Sequence, residues 1–174
     1  KLDSRGMWQW YARIMSASSS MKLEVVSDRY DDVVVSANLA SGILTLSNQG
    51  SNVVDMTSPT YGPPYLAVCK LSSEGEWLWN ANVVGVYPDN VGHKSSITCD
   101  KYGNIFVTSK YINASFYNVS NVIFGSLSSS GVFVAKLSGD GKWIWTYTII
   151  SNTDAISHPL ITNDGEGNNY ISYF

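Results

Sequence analysis

The chain has 174 residues, enough for about one ordinary domain, with 44% hydrophobic and only 14% charged residues, the reverse of a disordered composition. A net charge of −3 with no basic cluster offers nothing to a nucleic-acid backbone. No apolar stretch approaches the roughly 20 residues of a spanning helix, and no signal peptide is visible. The opening on Lys1 instead of Met is expected of a cut or partial chain, so the ends carry no evidence about targeting.

Taken in order, the chain repeats itself. Lys-Leu stands at Lys1-Leu2, Lys70-Leu71 and Lys136-Leu137, and a glycine follows four residues after each leucine, at Gly6, Gly75 and Gly141. A tryptophan pair comes next: Trp8/Trp10, Trp77/Trp79 and Trp143/Trp145, at spacings of 69 and 66 residues. Farther on stands an aspartate, Asp28, Asp100 or Asp164, and then an apolar run at Val33–Val35, Ile105–Val107 or Tyr170-Ile171. Several independent markers in one order, three times over, are the signature of a repeat architecture.

Each copy resolves into four strands. In the middle copy they are predicted at Ser96–Cys99, Ile105–Lys110, Val132–Leu137 and Lys142–Ile149. The turns Asp100–Asn104 and Ser138–Gly141 join them in pairs. An aspartate or serine can open such a turn by accepting backbone N–H bonds, and a glycine closes it by supplying positive φ. The first copy carries Asp31 where the others have Gly103 and Gly167; aspartate tolerates the left-handed region better than most residues.

The third strand is apolar at nearly every position, which means burial on both faces. A two-layer sandwich would leave one face wet. A radial stack of small sheets covers both, and that is the β-propeller. Long links, Asn38–Pro63 and Tyr111–Gly131, separate the strand pairs. They contain Leu44, Leu46, Phe116 and Phe124 and read as ordered flaps or an extra short strand. They explain a period near 67, above the roughly 40–50 residues of common blades. The expected class is all-β: four-stranded antiparallel propeller blades, a fragment of a larger propeller. The whole chain forms part of one propeller, with repeats at 1–63, 64–130 and 131–174, the first and last incomplete.

The pattern Phe133–Leu137 with Gly141, Trp143 and Trp145, then Ile97, Asp100, Gly103, Asn104, Phe106 and Val107, then Phe124-Gly125 with Ser129–Gly131, resembles the SBBP-type β-propeller repeat over essentially the whole chain. The first copy departs most, lacking the turn glycine and the Phe-Gly segment. The resemblance implies four-stranded blades, found mostly in bacterial surface or secreted proteins with relatives in viruses. It implies no reaction. About 2.6 repeats are present, whereas propellers close with roughly 4–8 blades; the remaining blades come from a longer chain or from other chains.

No chemical constellation stands out. Cys69 falls where the next copy has Ala135, and Cys99 where the others have Ser27 and Asn163; both read as separate reduced thiols, and zinc spacings are absent. His93 and His158 have no partner at ligand spacing, and no hydrolase or phosphate-loop motif occurs. Asp31 and Asp32 point to opposite faces. Asp164, Glu166 and Asn168 mimic the alternating oxygens of a calcium loop, but the matching turns lack the second acid. Asn113 and Asn118 head glycosylation sequons on the second flap, relevant on a eukaryotic secretory route. The tryptophan pairs read as packing between blades.

No enzyme activity and no cofactor are expected. The first reading is a structural, protein-interaction propeller in a surface, secreted or virus-particle assembly. The alternatives are a carbohydrate-binding or adhesive module, and an enzyme domain with its active site on blades not present. The expected partners are proteins or the remaining blades, with a glycan as the other candidate, no nucleic acid and no membrane span.

Overall fold

The computed structural model describes residues 1–16, 21–39, 44–48, 53–54, 65–86, 95–151 and 159–173. Among these every regular element is a strand: β1 (Ala12–Ser16), β2 (Met21–Ser27), β3 (Val33–Leu39), β4 (Leu44–Asn48), β5 (Val53–Val54), β6 (Tyr65–Leu71), β7 (Trp77–Val86), β8 (Ser96–Cys99), β9 (Ile105–Tyr117), β10 (Ile123–Leu137), β11 (Trp143–Ser151), β12 (Leu160–Asn163) and β13 (Asn169–Ser172). The order β2-β3-β6-β7 makes one four-stranded antiparallel sheet and β8-β9-β10-β11 the next. Pairing of β7 with β9 joins them into one curled eight-stranded sheet. The hairpin β12-β13 begins a third sheet, and β1 is paired with β4. The chain is an all-β fragment of a propeller.

The continuous apolar runs are explained by where alternate residues go. Along β6, Ala67 and Cys69 join Leu39, Leu44 and Leu46 in one core layer. Leu66 and Val68 face the other way, onto Ile97, Ile105 and Val107 of the next sheet. Val134 of β10 meets Phe106 and Ile161 in a third layer. The core is therefore divided among the gaps between successive sheets, and a strand inside it has no wet face.

The links differ from a loose stretch. The second flap is a hairpin with two register shifts, because β9 runs on to Tyr117 and β10 starts already at Ile123. Its strands bend back and add to the outer edge of the preceding sheet, with Val83 opposite Phe116 and Val86 opposite Tyr111. The first flap does the same: β4 lies along β1, with Ile14 opposite Leu46. Each flap is a strand handed to the previous blade, covering an edge that would otherwise present free N–H and C=O groups.

Among the described residues one turn occurs seven times. In each, the first residue donates its N–H to the carbonyl four residues on: Asp3 to Met7, Asp28 to Asp32, Ser72 to Glu76, Asp100 to Asn104, Asn118 to Val122, Ser138 to Lys142 and Asp164 to Asn168. The fourth residue is left-handed, with φ between 55° and 102° at Gly6, Asp31, Gly75, Gly103, Asn121, Gly141 and Gly167. The first side chain accepts N–H groups inside the turn, as Asp100 Oδ1 does from Tyr102 and Asn104, both at 2.9 Å.

Tryptophan then locks sheet to sheet. Trp10 Nε1 donates to Ser73 O at 2.7 Å, and Trp79 Nε1 to Gly139 O at 3.0 Å. Each indole reaches across to the next sheet's turn and lies on its glycine: a methyl at Gly75 would be 2.7 Å from the Trp10 ring, and one at Gly141 2.7 Å from that of Trp79. The first tryptophans of the later pairs hold the flaps. Trp77 Nε1 donates to Ser47 O at 3.2 Å and Trp143 Nε1 to Tyr117 O at 2.9 Å, pinning the two flaps. Inner strands are stitched as well, Ile97 N–H to Glu24 Oε2 at 2.8 Å and Ile161 N–H to Ser96 Oγ at 3.2 Å. Trp8 departs from this scheme. It is 74% exposed, and no flap covers it among the described residues.

The first sheet carries a charge cluster that the second lacks. In the second, Asn104 Nδ2 donates to Asp100 Oδ2 at 2.7 Å. Asp32 stands in the place of Asn104 and has no proton to give. Lys70 supplies the compensation, with Nζ 2.8 Å from Asp28 Oδ2 and 3.0 Å from Asp32 Oδ2, and nearly all three side chains are out of solvent. The Asp28 contact is an ion pair set off the hydrogen-bond direction. Burial works against the Lys70 charge, but the two carboxylates of Asp28 and Asp32 outweigh it and hold its pKa above the ordinary lysine value.

Two outcomes are expected. Gly141→Ala forces a left-handed Ala against the Trp79 ring and should cost roughly 2–4 kcal/mol, read as a fall in chemical-denaturation stability; a loss within about 0.5 kcal/mol, the range of a neutral surface change, would contradict the indole lock. Lys70→Met strands two buried carboxylates and should cost roughly 3–5 kcal/mol at neutral pH. Because the lysine pKa is raised on folding, its contribution is complete below the unfolded value of about 10.4 and fades as pH rises past the folded value. The wild type should therefore lose its advantage over Lys70→Met as pH rises through that alkaline window, as measured by denaturation at stepped pH.

Candidate interaction surface

Neighbouring strands are antiparallel, so the turns after β2, β6, β8, β10 and β12 all emerge at one end of the sheets. The turns at Asp28, Asp100 and Asp164 stand side by side there, because their inner strands are stitched together. Arg29 Nη1 donates to Lys101 O at 3.1 Å, and Lys101 N–H to Gly165 O at 3.3 Å. Lys101 Nζ also pairs with Glu166, and that hydrogen bond holds the lysine pKa above its usual value.

On this row two tyrosines stand outward at equivalent positions, Tyr30 at 59% and Tyr102 at 58% exposure. Each has a cation over its ring: Arg29 at 4.8 Å from the Tyr30 centroid and Lys101 at 5.3 Å from that of Tyr102. Tyr30 also rests against Gly103 of the next turn. Tyr and Arg are the residues that most often anchor protein interfaces, and here the scaffold fixes their directions before any partner arrives, lowering the ordering cost of binding. The row offers flat aromatic contact, charge and hydrogen bonding. It presents no nucleophile beside a base.

The residues singled out from sequence fall as follows. Asp164 opens its turn in the way Asp28 and Asp100 do, its Oδ1 accepting the N–H groups of Glu166 at 2.8 Å and Asn168 at 3.2 Å, and its Oδ2 the Asn168 amide at 2.7 Å. These bonds hold the Asp164 carboxyl below its ordinary pKa, the Asn168 side chain contributing most. Glu166 is turned toward Lys101 instead. Among the described residues no three His, Cys, Asp or Glu side chains converge to hold a metal. Asn113 is exposed, left-handed at φ 51°, and accepts the Ser129 N–H through its Oδ1. Asn118 opens the flap turn, its Oδ1 taking the N–H groups of Ser120 and Val122. Cys69 and Cys99 are free thiols, and burial pushes each pKa up to about 12. His93 and His158 lie outside the described residues.

The tyrosine row was not among the sequence-stated site residues. Its signal was present: Tyr30 and Tyr102 both stand two residues after the turn aspartate, where a turn needs nothing aromatic. Their shared direction is invisible until the turns are placed side by side.

No helix is long and apolar enough to cross a membrane among the described residues. No family model matches the chain, and no solved structure matches it. It is similar to an uncharacterized WD repeat-containing protein of Acanthamoeba polyphaga mimivirus, 23% identical over 155 residues, which cover 83% of this chain and 11% of that protein. The chain thus spans about a ninth of its relative's length, and the similarity is in keeping with a repeat-built propeller.

Proposed function

We propose that this chain is part of a non-enzymatic β-propeller that binds a protein partner on its turn face, with Tyr30 and Tyr102 as anchors and Arg29, Lys101 and Glu166 around them. The observation that carries the reading is the pair of equivalent tyrosines, each more than half exposed on a braced row of turns. Its repeats are of the SBBP type, a reading supported by the motif order and by the equal roles of Trp10 and Trp79 and of Trp77 and Trp143. We place it in an extracellular, cell-surface or virus-particle assembly. The viral source of the WD repeat-containing relative is in keeping with the last of these.

The double variant Tyr30→Ala/Tyr102→Ala should leave the melting temperature unchanged, since both rings stand on the surface. Used as bait beside the wild type, it should lose at least about ten-fold of a specifically captured protein, the effect of removing interface anchors. Equal capture by both baits would argue against this face. A specific catalytic turnover abolished by a single substitution would overturn the non-enzymatic reading.

A further inference from the structure

The recurring turns carry four cations, Arg5, Arg29, Lys101 and Lys142. Three of them are paired with a carboxylate: Arg5 with Asp3, Lys101 with Glu166 and Lys142 with Asp140. Arg29 is exposed and has no carboxylate partner among the described residues. The reason lies in the register of the turns. Lys101 reaches forward to Glu166, the third residue of the following turn. Arg29 holds the same place one turn earlier and leans forward likewise, its Nη1 donating to Lys101 O at 3.1 Å. The third residue ahead of it is Tyr102. A ring thus stands where the next pair along the arc has its acid, and both turns that define the vacancy belong to this chain.

The unpaired guanidinium is nevertheless held in place. Its carbon lies 4.8 Å from the Tyr30 ring centroid. One of its five N–H donors is spent on the Lys101 carbonyl, and the others meet no acceptor among the described residues. Ring and carbonyl together fix the plane of the fork. A fork fixed in advance loses less freedom for each hydrogen bond it then forms, and a carboxylate matches it with two parallel N–H bonds.

We infer that the protein partner presents an Asp or Glu side chain whose carboxylate takes the free donors of Arg29 beside Tyr102. This rests on the turn face being the binding surface. The contact supplies from outside what Glu166 supplies to Lys101 within the chain. A carboxylate suits the place better than a phosphoryl group. Arg29 is one free cation, and Asp31 of the same turn is an exposed acid, so a group carrying about −1.5 to −2 meets one attraction and one repulsion. The whole chain is at −3 and does not draw an acidic partner from afar. The attraction is local to Arg29, within a screening length of about 8 Å at physiological salt.

Random peptides displayed on phage and selected on the immobilised 174-residue chain supply the probe. Clones that no longer bind Tyr30→Ala/Tyr102→Ala are the turn-face binders, and these should be enriched in Asp and Glu. Selection on Arg29→Gln should abolish the enrichment, and selection on Arg29→Glu should replace it with Lys and Arg. One synthetic peptide from the wild-type selection then serves for affinities. Exchanging its acid for the matching amide should weaken binding to the wild type at least about ten-fold, as loss of a charge-assisted hydrogen bond does. The same exchange should leave binding to Arg29→Gln unchanged, since the pairwise contact is already gone. Arg29→Lys keeps the charge without the fork and should fall between. Asp31→Asn, a residue that tolerates positive φ, should tighten the acidic peptide. The peptide exchange leaves the chain untouched, so it stands even where an Arg29 variant is less stable. Turn-face binders without acidic enrichment, an acidic peptide held equally by wild type and Arg29→Gln, or tighter binding with phosphoserine at the acidic position would overturn this inference and leave the turn face standing. A selection yielding no peptide that depends on the two tyrosines would overturn the face and the inference together.

Discussion

An indole lying flat on a glycine, with its N–H on the carbonyl two residues before that glycine, is the contact on which the arc depends. It joins Trp10 to the Ser72 turn and Trp79 to the Ser138 turn. The contact asks three things at once of a short sequence. The glycine must hold a left-handed backbone, the turn must aim a carbonyl outward, and the tryptophan must stand on or just before the last strand of the previous sheet. A large ring buries much apolar area, and its N–H needs an acceptor when buried; both needs are met by one partner. Repeated at nearly the same spacing, the lock fixes how each sheet is set against the next.

The flaps complete the sheets from outside. A four-stranded blade ends in an edge, and edges invite uncontrolled pairing. Here β4 covers the edge of β1 and the distal half of β9 covers that of β7. Trp77 and Trp143 hold these strands by their carbonyls. The long period is thus the length needed to hand a strand backwards, and the added residues are ordered by it. The same device interlocks consecutive repeats, because part of each sheet belongs to the repeat that follows.

What remains at the surface follows from this rigidity. Buried Lys70 is paired with Asp28 and Asp32, and charges on the turn face brace one turn against its neighbour. The tyrosines are left free to meet something else. A row of stiff turns with outward aromatic rings suits recognition better than chemistry, which would require groups to converge on one reacting bond.

Much of the architecture was legible in one dimension. The order of Lys-Leu, glycine and tryptophan pair marked the repeat. Unbroken apolar runs marked strands buried on both sides, and the turn chemistry was readable down to Asp31, which adopts φ 61° where its counterparts are glycine. These features are local: they depend on residues within about ten positions of each other. Other features were not legible. The flap reads from sequence as ordered or as an extra strand, but not as the continuation of β9 and β10 along β7, because that pairing is with the outer strand of the preceding sheet. Trp8 shares its motif with Trp77 and Trp143 and yet stands exposed, because an indole is buried only where something lies over it. The Lys70 cluster and the tyrosine row likewise rest on which turn lies next to which in space. Sequence determined the strands, the turns and the repeat; the tertiary structure alone decided the edges and faces, since covering an edge or aligning two rings is a relation between segments about 30 to 70 residues apart, and no local preference encodes it.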